Sequence, residues 1–524
     1  MPGDRPGRRA FGRSALALAL AAFAGRAAAR PACAPPPRFA AYPFALGVAS
    51  GSPRADGVVL WTRLATDPAA DDGGLAPDPV GLRWQIADDE RFARVVRSGS
   101  VLALAQHAHS VHVEADGLEP GRWYWYRFIA GGGPGAVASP VGLTRTAPAP
   151  GEMPGRVRVC VASCQHYERG FFAAWRHLVD EEPDLVLHLG DYIYESNLQH
   201  EPVRRHWNPE PTTLSAYRMR HAQYRTDPDL QRAHALAPWL VTWDDHEVDN
   251  DYADDRAEDL APDFLARRAA AYRAYFEHMP LRPSALPRGP DMRLHSRHGF
   301  GTLAEFHMLD CRQYRSHQAC ASPGRGGSRM VEPCDEFIDP RRTMLGAAQE
   351  RWLGKGLRAS RARWNLIGQT TLLSRFDARP GPGEVYWTDG WSGYPAAAER
   401  LVGELGSSGA RNPLILGGDV HTHYVCDVKA DFSRPESATV ATEFCCTSIT
   451  SPSVPQSRID ALLPENPHVV LADATRRGYL RLTLEPDRCV AQLRVISDPR
   501  DPRATLATRA SFVVEDGRPG ARPA

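Results

Sequence analysis

The chain has 524 residues, 62 basic and 62 acidic side chains, and 43% hydrophobic residues. Because single hydrophobic cores stop growing near about 250 to 300 residues, this length predicts two folded units. The composition is close to the globular average, which excludes extended disorder and a membrane bundle. The balanced charge excludes a protein-wide attraction to nucleic acid or anionic lipid, so we expect no surface specific for nucleic acid.

The first 34 residues have the order of a secretory signal. Arg8 and Arg9 precede an apolar run over residues 15–23, and alanine-rich residues typical of a cleavage zone follow. The paired arginines resemble a twin-arginine signal. The apolar run is shorter than the roughly 20 residues that cross a bilayer. We therefore predict a twin-arginine-type signal peptide over residues 1–34, which directs the protein through the twin-arginine export machinery to the periplasm, the cell surface or the medium.

The next region is rich in short β-like runs. Residues 57–62 and 123–128 are two of several such runs, and Gly, Pro and Asp turns separate them. Short strands spread over about 100 residues are typical of a β-sandwich. Residues 117–121 resemble the corner before a late strand in fibronectin-type domains. We therefore predict a β-sandwich of fibronectin type over residues 42–147, followed by a linker rich in Pro, Ala and Gly.

From residue 155 to residue 515 the pattern changes to buried strands alternating with helical segments, which predicts an α/β sheet covered on both faces. Polar clusters follow five of these strands, and ligands bind at the carboxyl ends of strands in open α/β sheets. The clusters contain Cys164, Asp191, Asp245, Asp310 and Asp419. Converging donors of this kind predict a metal site.

The spacing of the donors favours two adjacent metal ions. A carboxylate can bridge two ions, and Asp191 is the natural bridge. Tyr194 would reach one ion as a phenolate, which a trivalent iron favours by lowering the phenol pKa. Asp419 and His421 lie on one face of an extended segment. Two such ions can hold phosphate oxygens and activate a hydroxide for attack on phosphorus.

Several motifs resemble those of calcineurin-like metallophosphoesterases, and together they resemble the alkaline phosphatase D/phospholipase D family (PhoD-like). The motifs are Gly190-Asp191-x-x-Tyr194, Asp245-His246-Glu247, Gly418-Asp419-Val420-His421, Ser163-Cys164, Asp310-x-Arg312 and Trp387-Thr388-Asp389-Gly390-Trp391. The resemblance implies an N-terminal fibronectin-type β-sandwich followed by a four-layer α/β/β/α metallophosphoesterase domain.

The resemblance also implies a ligand set for Fe³⁺ and Ca²⁺, with two or three metal ions in the site. Fe³⁺ would be surrounded by Cys164, Asp191, Tyr194 and His421, whereas Asp191 and Asp419 would face Ca²⁺. The calcium site needs one more side chain, and Asp245 and Asn250 are both candidates.

Three further side chains are candidates for the substrate side of the site. We expect His246, oriented by Glu247 or Asp244, to protonate the leaving-group oxygen. Arg312 is expected to neutralise phosphate charge, with a structural salt bridge as the alternative. His423 is expected to contact phosphate or to support a metal ligand rather than to bind metal directly.

The sequence therefore predicts an exported enzyme that hydrolyses phosphate mono- and/or diesters by direct attack of a metal-bound hydroxide. Small phosphate esters or phospholipid headgroups are the expected partners, and we expect a monomer. The alternatives are a phospholipase D or other phosphodiesterase, and a non-catalytic cell-surface binding protein. In an oxidising compartment some of the ten cysteines should pair. Cys320 and Cys334, which flank a Gly/Ser/Arg-rich loop, are the first candidates for a disulfide.

Overall fold

The computed structural model describes residues 39–524. The predicted signal peptide over residues 1–34 lies outside the described residues. Within the described range, no helix is long and apolar enough to cross a membrane.

The N-terminal region forms a sandwich of two antiparallel sheets around a core that includes Leu60, Leu82 and Tyr126. One sheet has the order β4-β3-β6-β7, with β8 also paired to β6, and the other contains β1, β2 and β5. The strands are β1 (Val48–Arg54), β2 (Gly57–Arg63), β3 (Val80–Ala87), β4 (Val95–Ala103), β5 (Ser110–Asp116), β6 (Trp123–Ala130), β7 (Val137–Ala138) and β8 (Gly142–Arg145).

The remaining strands belong to two large sheets and one short antiparallel pair, β14 with β16. They are β9 (Val157–Ala162), β10 (Leu185–Leu189), β11 (Pro238–Thr242), β12 (Ser296–Phe300), β13 (Ala304–Met308), β14 (Met330–Val331), β15 (Trp364–Gly368), β16 (Tyr386–Trp387), β17 (Pro413–Gly417), β18 (His423–Lys429), β19 (Thr439–Cys445), β20 (Val469–Asp473), β21 (Arg477–Leu484), β22 (Arg488–Ile496), β23 (Leu506–Glu515) and β24 (Arg518–Pro523).

Helices cover the outer faces of the two large sheets. They are α1 (Ala173–Asp180), α2 (Leu214–Arg225), α3 (Pro228–Leu236), α4 (Phe264–His278), α5 (Gly346–Ala359), α6 (Pro395–Ser407) and α7 (Gln456–Asp460). The first four pack on the sheet that contains β10 and β11, whereas α5 and α6 pack on the sheet that contains β15 and β17.

The two large sheets face each other across an apolar core that includes Leu187, Phe306, Leu416 and Leu482. Their strand orders are β24-β23-β22-β21-β9-β10-β11-β1-β2-β5 and β12-β13-β15-β17-β19-β18-β20. Helices, sheet, sheet and helices thus form four layers, and the predicted fold class is confirmed. Strands β9, β10 and β11 are parallel to one another, so their carboxyl ends lie at one edge.

The sandwich and the four-layer region share a sheet, which the sequence pattern does not predict. Strand β1 pairs in parallel with β11, with Ser50 opposite Pro238 and Gly51 opposite Trp239. A Cβ at Gly51 would lie 2.5 Å from the Pro280 carbonyl oxygen, so only glycine permits this approach. The backbone pairing therefore joins one sheet of the sandwich directly to the strands that carry the candidate site.

The predicted disulfide between Cys320 and Cys334 is present in the structure. Seven other cysteines among the described residues are free, and all seven are buried. Cys164 is one of them, so its thiol is available as a metal ligand.

We expect the Cys320→Ser/Cys334→Ser double variant to unfold more readily than the native protein. The bridge closes a loop of 14 residues, and a loop of this size stabilises the fold by about 3 kcal/mol through the unfolded state. Urea denaturation followed by circular dichroism measures the loss. A reducing agent should produce the same shift in the native protein and none in the double variant; an unchanged midpoint in the variant contradicts the prediction.

Candidate metal centre

The candidate ligands follow strands β9, β10, β11 and β17, and several have an unusual backbone conformation. The φ angles are 59° at Cys164, 57° at Asp191, 59° at Asp419 and 53° at His421. Positive φ in a non-glycine residue is strained by about 1 to 3 kcal/mol and clusters at functional sites. The chain therefore turns sharply after β9, β10 and β17, and each turn directs a side chain into the space between the strand ends.

The Glu247 carboxylate holds two of these turns together. It accepts hydrogen bonds from the backbone N–H groups of Asp191 (3.1 Å), Tyr192 (2.6 Å) and Asp244 (2.8 Å). Gly190 permits the close approach, since a Cβ there would lie 2.5 Å from the Asp244 Cβ. Glu247 was predicted to orient His246 for catalysis; that prediction is wrong, because its oxygens are occupied by the backbone of the two loops.

One group of donors combines a thiol, a carboxylate, an imidazole and a phenol. Ligand atoms of Cys164, Asp191 and His421 all lie within 4.8 Å of one another. The Tyr194 hydroxyl donates to Asp191 Oδ2 at 2.9 Å and lies 3.2 Å from His421 Nε2. These four residues are the predicted iron ligands, and the structure brings all of them together.

The ring of His421 is fixed in the tautomer that a metal ligand needs. Its Nδ1 lies 2.8 Å from the carbonyl oxygen of Pro452, which can only accept a hydrogen bond. Nδ1 therefore carries the proton, and the lone pair of Nε2 points toward Tyr194 and Asp191. Such a backbone partner is the usual way in which proteins orient a ligating histidine.

Two further groups extend the centre on its other side. Asp191, Asp245 and His246 form one, and Asp245, Asp251 and Asp389 form the other, each with its ligand atoms within 4.8 Å. Asp191 and Asp245 each belong to two groups. The groups are therefore contiguous, and Asp191 occupies the shared position that was predicted for the bridging carboxylate.

The carboxylates of the centre fit the binding of cations. Asp191 Oδ1, Asp245 Oδ1 and Asp419 Oδ2 are buried and have no hydrogen-bond partner among residues 39–524. Burial, together with the carboxylates of Asp244 and Asp245, raises the pKa of Asp191 and Asp419 well above the ordinary value. Buried anionic oxygens are costly unless they are paired or coordinate a metal. Converging oxygen, imidazole and thiol donors of this type suit metal ions.

His246 is oriented by Glu195, a residue that the sequence analysis missed. The distance from His246 Nδ1 to Glu195 Oε2 is 2.7 Å, whereas neither Asp244 nor Glu247 hydrogen-bonds the ring. Burial lowers the pKa of His246, but carboxylates led by Glu195 and Asp245 outweigh burial and raise this pKa well above its ordinary value. The imidazole is thus held through Nδ1, and its side chain retains 17% exposure.

Asp245, not Asn250, points into the centre. Asn250 donates its side-chain N–H to Glu258 Oε2 at 2.9 Å, and its backbone N–H donates to Glu195. Its amide therefore stabilises a loop behind His246. Asp251, the next residue, instead lies with Asp245 and Asp389 in one group of potential ligands. Asp251 was not among the predicted ligands.

Arg312 forms the salt bridges that were the alternative to a phosphate contact. Its guanidinium is 1% exposed and pairs with Asp244 Oδ1 at 2.6 Å and Asp389 Oδ2 at 2.7 Å. A substrate oxygen cannot reach a guanidinium that is buried among its carboxylate partners. The prediction of a phosphate contact is therefore wrong, and Arg312 instead balances carboxylate charge beneath the site.

His423 is also inaccessible to a substrate. It is fully buried at the start of β18, and its Nδ1 accepts the backbone N–H of Thr447 at 3.2 Å. Thr447 Oγ1 in turn donates to the backbone carbonyl of His421 at 3.0 Å. The predicted phosphate contact is wrong, whereas a supporting position behind a metal ligand agrees with the structure.

The sequence could have indicated two of the residues that the sequence analysis did not propose as ligands, Asp251 and Asp389. Asp389 lies within the Trp-Thr-Asp-Gly-Trp motif, and Asp251 lies in the acidic segment after Asp245. Glu195 directly follows Tyr194, but nothing in the local pattern pairs it with His246, 51 residues away.

We expect Arg312→Met to destabilise the protein strongly, because it leaves Asp244 as a buried, unpaired carboxylate and removes one of the two arginines that pair with Asp389. Removal of one partner of a buried ion pair costs about 3 to 5 kcal/mol. Arg341→Met is the matched control: its pair with Asp339 has the same 2.7 Å separation as that of Arg312 with Asp389, but its side chain is 89% exposed. Urea denaturation should show a large loss for Arg312→Met and essentially none for Arg341→Met. Equal losses would contradict the role of burial.

Comparison with known proteins agrees with this geometry. The model of the PhoD-like phosphatase family matches residues 159–493, and the model of its N-terminal domain matches residues 28–148. Alkaline phosphatase D of Bacillus subtilis (strain 168) is 45% identical over 496 residues, which are 93% of this chain and 83% of the relative. A solved structure titled "Structure of PhoD" superposes with a TM-score of 0.87 at 44% identity and covers 93% of each chain.

The two facing sheets, their helical layers and the donors gathered at the strand ends define a metallophosphoesterase, a phosphoric ester hydrolase. With both family models matched over most of its length, the chain belongs to the PhoD-like phosphatase family.

Proposed function

We propose that the protein is an exported, metal-dependent phosphatase that hydrolyses phosphate mono- and/or diesters. The observation that carries the proposal is the shared position of Asp191, which belongs to the donor group with Cys164 and His421 and to the group with Asp245 and His246. A carboxylate in this position can bridge two cations a few ångströms apart, as two-metal phosphoesterases require.

The donor chemistry supports Fe³⁺ and Ca²⁺ as the resident ions. Cys164, Asp191, Tyr194 and His421 would hold Fe³⁺, and Asp191, Asp245 and Asp419 would hold Ca²⁺. Asp251, beside Asp245, offers an oxygen for a further Ca²⁺, whereas Asp389, the third member of that group, is already paired with Arg312 and Arg315. The bound ions would supply Lewis acid chemistry, which polarises a phosphoryl oxygen and lowers the pKa of a water molecule.

The Cys164 thiol and the Tyr194 phenol favour a strongly Lewis-acidic metal ion on their side of the centre. Burial and the Asp191 carboxylate raise the pKa of the Cys164 thiol and of the Tyr194 phenol well above their ordinary values. Both groups must lose a proton to become ligands. A trivalent cation supports that loss better than a divalent one.

His246 is proposed to deliver a proton to the leaving-group oxygen. Glu195 accepts from Nδ1–H, so Nε2 is the nitrogen that remains to face the substrate. Glu195, which is not among the proposed metal ligands, raises the pKa of His246 and favours the protonated ring before the reaction. Glu195 acts through His246 and is a positioning residue.

We expect His246→Ala to lower kcat/KM on alkyl phosphate esters by about 10²- to 10⁴-fold, the usual contribution of a general acid. The loss should be much smaller on p-nitrophenyl esters, because p-nitrophenolate leaves without protonation. Glu195→Gln should give the same leaving-group pattern with a smaller loss. His317→Ala, an exposed histidine paired with Asp255, is the control and should keep native rates. Equal losses on both ester types would contradict the assignment.

Elemental analysis and a visible spectrum of the natively exported protein test the metal assignment. We expect iron and calcium, together with a charge-transfer band from Tyr194 to iron. Tyr194→Phe keeps the ring between His166 and His246 but removes the phenol, so the band should disappear while calcium remains. Zinc alone, without a visible band, would overturn the iron assignment.

The relative rates on p-nitrophenyl phosphate and bis(p-nitrophenyl) phosphate decide between monoesters and diesters. Phosphatidylcholine vesicles test the alternative of a phospholipase D, for which release of choline is the readout. The motif residues are common to all three reactions, so the substrate comparison is needed to separate them.

Export by the twin-arginine route is part of the proposal. Arg8 and Arg9 support it, and the disulfide between Cys320 and Cys334 agrees with an oxidising compartment. We also propose the division into a sandwich over residues 42–147 and a catalytic region over residues 155–515, and a monomeric state.

A further inference from the structure

An apolar pocket opens beside the metal centre. Its volume is about 430 Å³, within the range of about 300 to 1,000 Å³ that is usual for small-ligand sites. Its walls are mainly apolar and include Met330, Phe376, Trp387, Val420, Tyr424 and Val454. Neither a phosphate group nor a metal ion binds favourably to such an apolar surface.

Two of the residues that line the pocket adjoin residues of the metal centre. Val420, one of its lining residues, lies in the chain between Asp419 and His421. Ser328, another lining residue, donates its backbone N–H to Asp251 Oδ2 at 3.0 Å. The apolar pocket therefore lies next to the metal centre, on the side of Asp251 and Asp419.

Two large apolar side chains are left exposed at this pocket. Met330 is 48% exposed and Val454 is 45% exposed, and they come from distant segments of the chain. Apolar surface inside a concave site is stabilised when a ligand covers it, and each buried methylene can strengthen binding by up to about fourfold. The exposed side chains thus favour a ligand with an apolar group.

The wall that carries Met330 is held in place before any ligand binds. Met330 pairs with Trp387 across β14 and β16, and the segment lies within the loop closed by the Cys320–Cys334 disulfide. The neighbouring Arg329 donates to the backbone carbonyls of Gly326 (2.9 Å) and Gly327 (3.1 Å). A preformed wall loses little entropy on binding.

We propose that this pocket is a subsite for an apolar alkyl or aryl group of the phosphate ester, with Met330 and Val454 as specificity-determining residues. The inference rests on the proposed function and deepens it: the centre binds the phosphate, and the pocket selects esters by the apolar group next to phosphorus.

Alkylphosphonates test the subsite, because they carry one chain on phosphorus and cannot be hydrolysed. Dissociation constants of methyl-, butyl- and hexylphosphonate for the metal-loaded protein are measured by calorimetry, with hydrolysis of bis(p-nitrophenyl) phosphate assayed in parallel. We expect the Kd to fall at least tenfold from methyl- to hexylphosphonate. Met330→Ser and Val454→Ser should each reduce that ratio about threefold, and the double variant should nearly abolish it.

Ile338→Ser is the matched control, since Ile338 is 62% exposed but lines a different groove, and it should keep the native chain-length ratio. A Kd independent of chain length, or a dependence that survives in the double variant, would overturn the subsite while leaving the proposed function intact. A protein that binds none of the phosphonates and hydrolyses no ester would instead overturn the proposed function, and the subsite with it.

Discussion

The Glu247 carboxylate accepts hydrogen bonds from three backbone N–H groups in the loops that follow β10 and β11. This buried interaction fixes the distance between Asp191 and Asp245, and with it the contact between the donor groups of the centre. The two loops can approach each other in this way only because residue 190 is glycine, since a larger residue there would collide with Asp244. The rest of the site depends on this pairing of loops, since Tyr194 and His246 are placed by the same two turns.

The centre concentrates negative charge inside the protein, and the fold balances only part of it. Arg312 pairs with Asp244 and Asp389 on the inner side. On the side facing the strand ends, Asp191 and Asp419 keep buried oxygens without partners among residues 39–524. Because unpaired buried carboxylates are costly, the protein gains stability from cations in this position. Metal binding and the stability of the loops are thereby coupled.

The site was predictable where chemistry and strand position coincide. Cys164, Asp191, Asp245 and Asp419 each follow a buried strand, and the carboxyl ends of neighbouring strands meet at one edge. The functions of Arg312 and His423 were not predictable in this way, because a guanidinium or an imidazole serves equally in a salt bridge, a buried hydrogen bond or a substrate contact. Burial separates these functions, and burial depends on the packing of distant segments.

The motifs were enough to predict the family, because residue type and spacing are local properties of the chain, and the family resemblance in turn implied the four-layer fold and most of the candidate ligands. Only the folded chain shows that Glu195 orients His246, that Asp251 rather than Asn250 reaches Asp245, and that the sandwich continues the catalytic sheet. It also placed an apolar pocket beside a charged centre. Each of these features joins segments far apart in the chain, and only folding determines which of many possible partners come into contact.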